Sequence, residues 1–305
     1  MKLDFVKLHG LGNDFVFIND WDHTLELTTD QVKFICDRHF GIGADGVILV
    51  RKSPRPECIG YMHYINSDGT LAEMCGNGIR CFAKFLIDNG YVNYKQGSFT
   101  ADTLRGPLSL SFRVDENHKM TEATVDMDEP ILNPIDVPVA YEANATTEAG
   151  ISYVKEMPVE SPWGTFSFTC VSMGNPHAVC FLDNLDELPN NAFVSEEKSL
   201  ETFDLNKIGA FFESHPVFPA KCNIEFVVIA DGHPKFRVFE RGCGETLACG
   251  TGTCATLVAA YLTGHSEKES VISLRGGDLH IAWKDDNHVF MTGPATQSFT
   301  GVIEL

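Results

Sequence analysis

Two cysteines stand where this chain could do chemistry. Cys75-Gly76-Asn77-Gly78 opens one apolar segment and Cys249-Gly250-Thr251-Gly252 opens another. Each cysteine lies nine positions after a polar residue that closes a strand-like run, Asn66 in one case and Glu240 in the other. Fifteen positions further on, a glycine ends each apolar stretch, Gly90 and Gly264. Glycines beside the sulfur let backbone approach a ligand closely. The first N–H groups of a helix lack internal partners and lie at the positive end of its dipole, so each start is a seat for a carboxylate. The same field is expected to pull a thiol below its ordinary value of about 8.5. Two such seats facing across a cleft would hold one α-carboxylate from both sides. One sulfur would remove the α-proton and the other would return one from the opposite face, while the N–H groups stabilise the developing enolate. A lone turn of this kind is weak evidence, its bland reading being a glycine-tolerant helix entry with a buried cysteine; the pair in register favours the chemical reading.

The elements that must position these sulfurs also occur twice. Leu11-Gly12-Asn13-Asp14-Phe15 and Met173-Gly174-Asn175-Pro176-His177 each read as a tight glycine turn feeding a strand. Helical spacing from Phe34 to Phe40, then strand Val47–Val50, is echoed by Leu205 to Phe212 and then strand Ile224–Ile229. Strand, helix, strand, strand and cysteine helix thus recur at a period of about 160 residues, which marks a domain duplication and not a solenoid. Asp128-Glu129-Pro130 to Pro138 suits a linker, and 140–163 reads as an irregular surface excursion. Further alternating strands are expected near 108–112, 124–127, 167–171, 271–274, 279–283 and 289–291. Strands outnumber helices and follow one another directly, so the class is α+β with mostly antiparallel sheets. The run Cys254–Leu262 is apolar nearly all round and must be buried on every side, which a curved sheet wrapped about a central helix would accomplish.

Composition narrows the partners. A chain of 305 residues with 44% hydrophobic content suits two domains of ordinary soluble character. A net charge of −19 argues against nucleic acid or an anionic membrane as partner. The opening segment MKLDFVKLHG has no apolar core and no run approaches a membrane span, so a cytoplasmic location is expected. The ten cysteines include no C-x-x-C pair, which disfavours zinc ribbons and thioredoxin-like sites. Cys36, Cys170, Cys180 and Cys254 read as small buried hydrophobes, Cys58 as a loop residue, and Cys81 and Cys243 as packing residues.

At these motifs the chain resembles the diaminopimelate epimerase family over essentially its whole length. The resemblance rests on His9-Gly10-Leu11-Gly12-Asn13-Asp14-Phe15, on Asn66-Ser67-Asp68-Gly69 running to Cys75-Gly76-Asn77-Gly78-Ile79-Arg80-Cys81, on Gly174-Asn175-Pro176-His177, and on Glu240-Arg241-Gly242-Cys243-Gly244-Glu245-Thr246 running to Cys249-Gly250-Thr251-Gly252. It implies two pseudo-symmetric halves, 1–130 with 294–305 and 131–293, with the active site in the cleft between them. It implies a cofactor-independent, metal-free epimerase that interconverts LL- and meso-diaminopimelate in lysine and peptidoglycan-precursor biosynthesis, working as a homodimer. Cys75 and Cys249 would be its catalytic thiolate and thiol. His177 and Glu240 would tune the thiols and orient the substrate amine. Gly76, Asn77, Gly250 and Thr251 would hold the reacting carboxylate through backbone N–H, and Asn13, Asn66, Asn175, Asn223 and Arg241 would line the pocket. Arg241 would meet the distal carboxylate, for which a planar guanidinium is suited.

Bland readings exist for most of these residues. Asn13, Asn66 and Asn175 flank turns, where asparagine bonds local backbone; His177 could be a core histidine; and Arg241 could pair with Glu245. Some family members carry glutamine where this chain has Gly46, so that contact is expected to be missing. Proline and hydroxyproline racemases and phenazine-pathway isomerases are the alternative enzymes. The first would be expected to show histidine near Asn77 and proline in place of Ala248, the second to lack the cysteine pair. A thiol redox or metal-binding protein is the alternative outside catalysis.

Overall fold

The computed structural model describes residues 1–305. The chain divides into two compact units, one made of Met1–Asp126 and Thr292–Leu305, the other of Met127–Met291.

The first unit contains β1 (Lys2–Gly10), β2 (Asn13–Asn19), α1 (Thr29–Cys36), β3 (Gly46–Lys52), β4 (Gly60–Asn66), α2 (Gly76–Asp88), β5 (Ser98–Thr103), β6 (Gly106–Val114) and β7 (Met120–Asp126). The C-terminal strand Thr296–Glu304 returns to pair with β1. From that strand the sheet runs β1, β2, β3, β4, β5, β6, β7. Only β2–β3 and β4–β5 are parallel. Parallel neighbours need a crossover, and α1 and α2 supply them. A helix that follows a strand this way begins beyond the strand's carboxyl end, which is how α2 comes to start near Asn66. Gly12 (φ 87°) makes the tight β1–β2 turn, a left-handed conformation that favours glycine. The α2 helix packs against β1, β2, β4 and β7 and buries Ile79, Cys81, Phe82, Phe85 and Leu86, so the sheet curves about it.

The second unit contains β8 (Ala145–Thr146), β9 (Ser152–Tyr153), β10 (Met157–Ser161), β11 (Gly164–Ser172), β12 (Pro176–Phe181), α3 (Leu205–Glu213), β13 (Asn223–Ala230), β14 (His233–Glu240), β15 (Gly244–Thr246), α4 (Gly250–Thr263), β16 (Glu269–Leu274) and β17 (Gly277–Trp283). Its sheet runs β10, β11, β12, β13, β14, β16, β17, with β12–β13 and β14–β16 parallel and the other pairs antiparallel. This is the connectivity of the first unit repeated, with α3 and α4 as the crossovers. The α4 helix touches β11, β12, β13, β14, β16 and β17. Its buried side chains include Cys254, Leu257, Val258, Ala259 and Ala260, and Gly264 (φ 85°) ends it. A separate aromatic core, with Phe166, Phe168, Phe203, Phe212 and Phe226 in edge-on and tilted contacts, fastens α3 to the opposite side of the sheet.

The α+β class and the duplicated sheet-around-helix architecture stand as expected, and two local expectations do not. The helix expected to continue to Phe40 stops at Cys36, because Asp37 turns out of helical conformation and its Oδ1 accepts from the N–H groups of His39 and Phe40. Phe40 is 82% exposed. The stretch 140–163 is more regular than expected: β8 and β9 form a short ribbon, and Met157 and Val159 of β10 point into the core while pairing with β11.

Candidate active site: two cysteine-capped helix starts

Both cysteines are N-caps. Cys75 is extended (φ −140°, ψ 123°) and its sulfur accepts from Gly78 N at 3.4 Å. Cys249 is extended in the same way (φ −126°, ψ 109°), and its sulfur accepts from Gly252 N at 3.4 Å. A sulfur in this position satisfies one N–H of the first turn and stands beside the others, so the duplication reaches from topology to a single hydrogen bond. Cys75 is half-buried and Cys249 is 5% exposed.

In the first unit the surroundings are amides on a fixed frame. Asn13 begins β2, and its Nδ2 donates to Asp45 Oδ2 at 2.7 Å, which turns Oδ1 toward the cysteine. That Oδ1 accepts from Cys75 Sγ at 3.5 Å and from Asn77 Nδ2 at 3.1 Å. Asn77 is buried, and its Oδ1 accepts from Arg80 Nη2 at 2.8 Å. The Arg80 guanidinium lies wholly inside the unit, with Nη1 on Gly76 O (3.1 Å) and Nε on Pro294 O (3.3 Å). A cation thus sits under the first turn of α2. Asn66 closes β4, where its Nδ2 donates to Thr70 Oγ1. A Cβ at Gly46 would lie 2.5 Å from Tyr64 Cε2 and 2.7 Å from Ile65 O, so the tyrosine ring already fills the space into which a side chain there would extend.

In the second unit the surroundings are acidic. His177 is fully buried on β12, with Nδ1 2.6 Å from Glu225 Oε1 and Nε2 3.1 Å from Asn175 Oδ1. Glu240 ends β14 and accepts from the Thr246 hydroxyl. Thr251 Oγ1 lies 3.6 Å from Cys249 Sγ. Asn223 donates to Pro176 O at 2.8 Å and accepts from Arg241 N at 2.9 Å, so it fastens the start of the loop after β14. Arg241 does not pair with Glu245, which is held by Arg237 (2.7 Å) and Arg275 (3.0 Å); instead its Nη1 reaches Ala220 O at 3.2 Å.

Two expectations about the thiols need correcting. The helix field was expected to lower both cysteines. For Cys249, burial above all, with the neighbouring acids Glu240 and Glu225 behind it, pushes the thiol well up, outweighing the lowering by Thr251 and Gly252. Desolvation disfavours a thiolate more than one helix terminus favours it. Cys243 is exposed and not a packing residue, because it sits in the tight turn between β14 and β15, where Gly242 (φ 76°) and Gly244 (φ 80°) reverse the chain.

Three residues of these surroundings escape a reading of the sequence. Asp45, which aims Asn13, lies in a loop and shows no periodic signal. Arg80 looks like an ordinary solvated helix cation until its burial is seen. Glu225 did leave a signal, as the lone acid in the apolar run Ile224-Glu225-Phe226-Val227-Val228-Ile229.

The family model for diaminopimelate epimerase matches residues 5–132 and 169–298. A diaminopimelate epimerase of Acetivibrio thermocellus is 44% identical over 303 residues, covering 99% of this chain and 98% of that one. A diaminopimelate epimerase of Leptospira biflexa is 42% identical with both chains covered completely. Among solved structures, a PhzF-family phenazine biosynthesis protein of Bacillus anthracis superposes with a TM-score of 0.65 at 15% identity, covering both chains completely. A hydroxyproline epimerase of Agrobacterium vitis gives 0.66 at 12%, covering 99% of this chain and 92% of that one, and at such identities the likeness speaks for the fold. With the matched motifs holding both cysteines at equivalent helix starts, the chain belongs to the diaminopimelate epimerase family.

Proposed function

We propose that this protein is an isomerase that interconverts LL- and meso-diaminopimelate without a cofactor, using Cys75 and Cys249 as its acid and base. The observation that carries this reading is the repeated N-cap: each sulfur bonds the third N–H of its own helix and stands at the positive end of that helix. Inversion at an α-carbon needs a base on one face and an acid on the other, and one cysteine from each half supplies them. Cys249, with its thiol pushed up, enters the cycle protonated. Backbone N–H of Gly76, Asn77, Gly250 and Thr251 would receive the reacting carboxylate and stabilise the enolate as it forms. Asn13, Asn66, Asn175 and Asn223, with His177, Glu240 and Arg241, would partner the remaining ammonium and carboxylate groups of a long substrate, each of which needs a partner when taken out of water. In the same reading the enzyme serves lysine and peptidoglycan-precursor synthesis as a cytoplasmic homodimer, and light scattering checks the dimer directly.

The test is a stereochemical assay under reducing conditions with LL- and meso-diaminopimelate beside L-proline and 4-hydroxyproline. Turnover is expected with the first pair alone, and solvent deuterium should enter the inverted carbon. Cys75→Ala and Cys249→Ala should each lower turnover at least a thousandfold with an unchanged circular dichroism spectrum. Turnover of either variant near the parent rate, or inversion without deuterium uptake, defeats the two-thiol mechanism.

A further inference from the structure

Glu225 is fully buried beside both His177 and the start of α4. Its Oε1 meets His177 Nδ1 at 2.6 Å, and its Oε2 is a buried oxygen with no hydrogen-bond partner. The same carboxyl lies so close to the first turn of α4 that a Cβ on Gly252 would fall 2.7 Å from Oε1 and 3.2 Å from Cys249 Sγ. Glycine at 252 is therefore the condition for Glu225 to reach this place.

The groups that face Glu225 are His177 on β12, Glu240 on β14, Cys249 at the start of α4, Cys170 on β11 and Cys222 just before β13. One imidazole is the only member of that set able to carry positive charge; the rest are thiols and an acid. An ionised carboxylate here would leave one charged oxygen buried and unbonded, which costs far more than leaving a neutral carbonyl oxygen so. Both nitrogens of His177 face oxygens, so the ring needs a proton on Nε2 to reach Asn175 Oδ1 and a second proton between Nδ1 and Glu225 Oε1. Burial in these surroundings drives Glu225 above the usual carboxyl range, against the pull of His177.

Building on the proposed epimerase reading, we propose that Glu225 is a positioning residue that keeps the shared proton on its own carboxyl. It donates to His177 Nδ1, locks the ring in its neutral Nε2–H form and presents Cys249 with an uncharged pair in place of a second anion. Two consequences follow from the geometry. With Nε2–H donating, Asn175 Oδ1 is held to the ring and its amide donors turn away from it, oriented for an acceptor on the substrate. With Glu225 neutral, Glu240 remains as the charge opposing ionisation of Cys249, so that thiol can cycle through its thiolate during turnover.

The experiment reads kcat and KM in both directions from pH 6 to pH 9.5 for Glu225→Gln and Glu225→Ala, with the parent protein beside them. A glutamine N–H donates to Nδ1 as the neutral carboxyl does, so Glu225→Gln should keep kcat within about threefold and leave the pH profile in place. Glu225→Ala frees the ring to exchange tautomers and should lower kcat/KM at least thirtyfold with a displaced profile. Equal damage in both variants would mean the negative charge itself is needed, and parent-like rates in both would reduce Glu225 to packing; either overturns the proposal. Nitrogen-15 spectra of His177 in the substrate-free parent supply a reading that depends on neither variant folding. Nδ1 should report unprotonated and Nε2 protonated across this range, and an imidazolium signature overturns the proposal. Should the spectra agree while diaminopimelate is not turned over, the functional reading falls and the assignment of the proton stands.

Discussion

Cys249 shows how local and long-range effects compete at one sulfur. Position at a helix start favours the thiolate, but burial and the acid at Glu240 disfavour it more strongly. Removing that charge should therefore release the thiol. Glu240→Gln is expected to raise the alkylation rate of Cys249 by iodoacetamide at pH 8 about tenfold, which corresponds to about one pK unit. An unchanged or slower rate would show that Glu240 does not govern this sulfur. The amides on the other half are arranged by similar neighbour effects. Asn13 faces Cys75 because Asp45 takes its donor end, and Asn77 is turned by a buried Arg80. The sequence announces Asn13 and Asn77 through their glycine-rich motifs, whereas the partners that aim them come from segments 32 residues on and from within an apolar helix.

At the scale of elements, each cysteine helix is a crossover between parallel strands, and that topology dictates where its N-terminus emerges. The strands feeding it carry the polar residues expected near the site, Asn66 on β4 and Glu240 on β14. Close packing around these strands restricts substitution. Gly46→Ala should destabilise the first unit by about 1–3 kcal/mol, because its Cβ would overlap both the Tyr64 ring and the Ile65 carbonyl. Chemical denaturation measures this, and a stability equal to the parent's would show that the ring gives way freely. Asp14 ties β2 to β1 through Lys7 (2.7 Å) and to the loop after α1 through Arg38 (2.8 Å). Burial resists its ionisation, but these cations prevail and hold it at about 2, below the ordinary value of 3.8. A depressed carboxyl stabilises the fold above its unfolded value and loses that contribution as pH falls through its folded one. Asp14→Asn should thus cost on the order of 1 kcal/mol at pH 7, with solvent screening of Arg38 allowed for, and the difference from the parent should vanish between pH 4 and pH 2. A constant difference across that window would remove the ion cluster from the account.

Across the whole molecule, the strongest facts are duplication and charge. The two units repeat one sheet order, one pair of crossovers and one cap, so a substitution at a given position of one half has a counterpart for comparison in the other. The excess of acids leaves a net charge of −19 at pH 7, which repels itself in any compact state. Added salt screens that repulsion over about 10 Å at 0.1 M. Raising sodium chloride from 10 to 200 mM at pH 7.5 should therefore raise Tm by about 2 °C or more. A Tm that is flat or falls with salt would mean that the surface ion pairs outweigh the repulsion.

Much of this protein is legible in its residues alone. Two glycine-flanked cysteines at equal spacing from strand and helix ends, an apolar helix that demands a wrapped sheet, and motifs repeated in order give the fold class, the family and the two cysteine-capped helix starts. These are signals of local pattern and period, which a linear chain carries openly. The end of α1 at Cys36, the exposure of Cys243 and the regular strand β10 depended on turns and edges where local pattern is weak. The tertiary structure alone decided which acid would lie beside which base. Glu225 and His177 are 48 positions apart, and only the parallel pairing of β12 with β13 brings their side chains to 2.6 Å inside a core that excludes water. Burial and distance, which no single stretch of residues encodes, determine where the proton of such a pair resides.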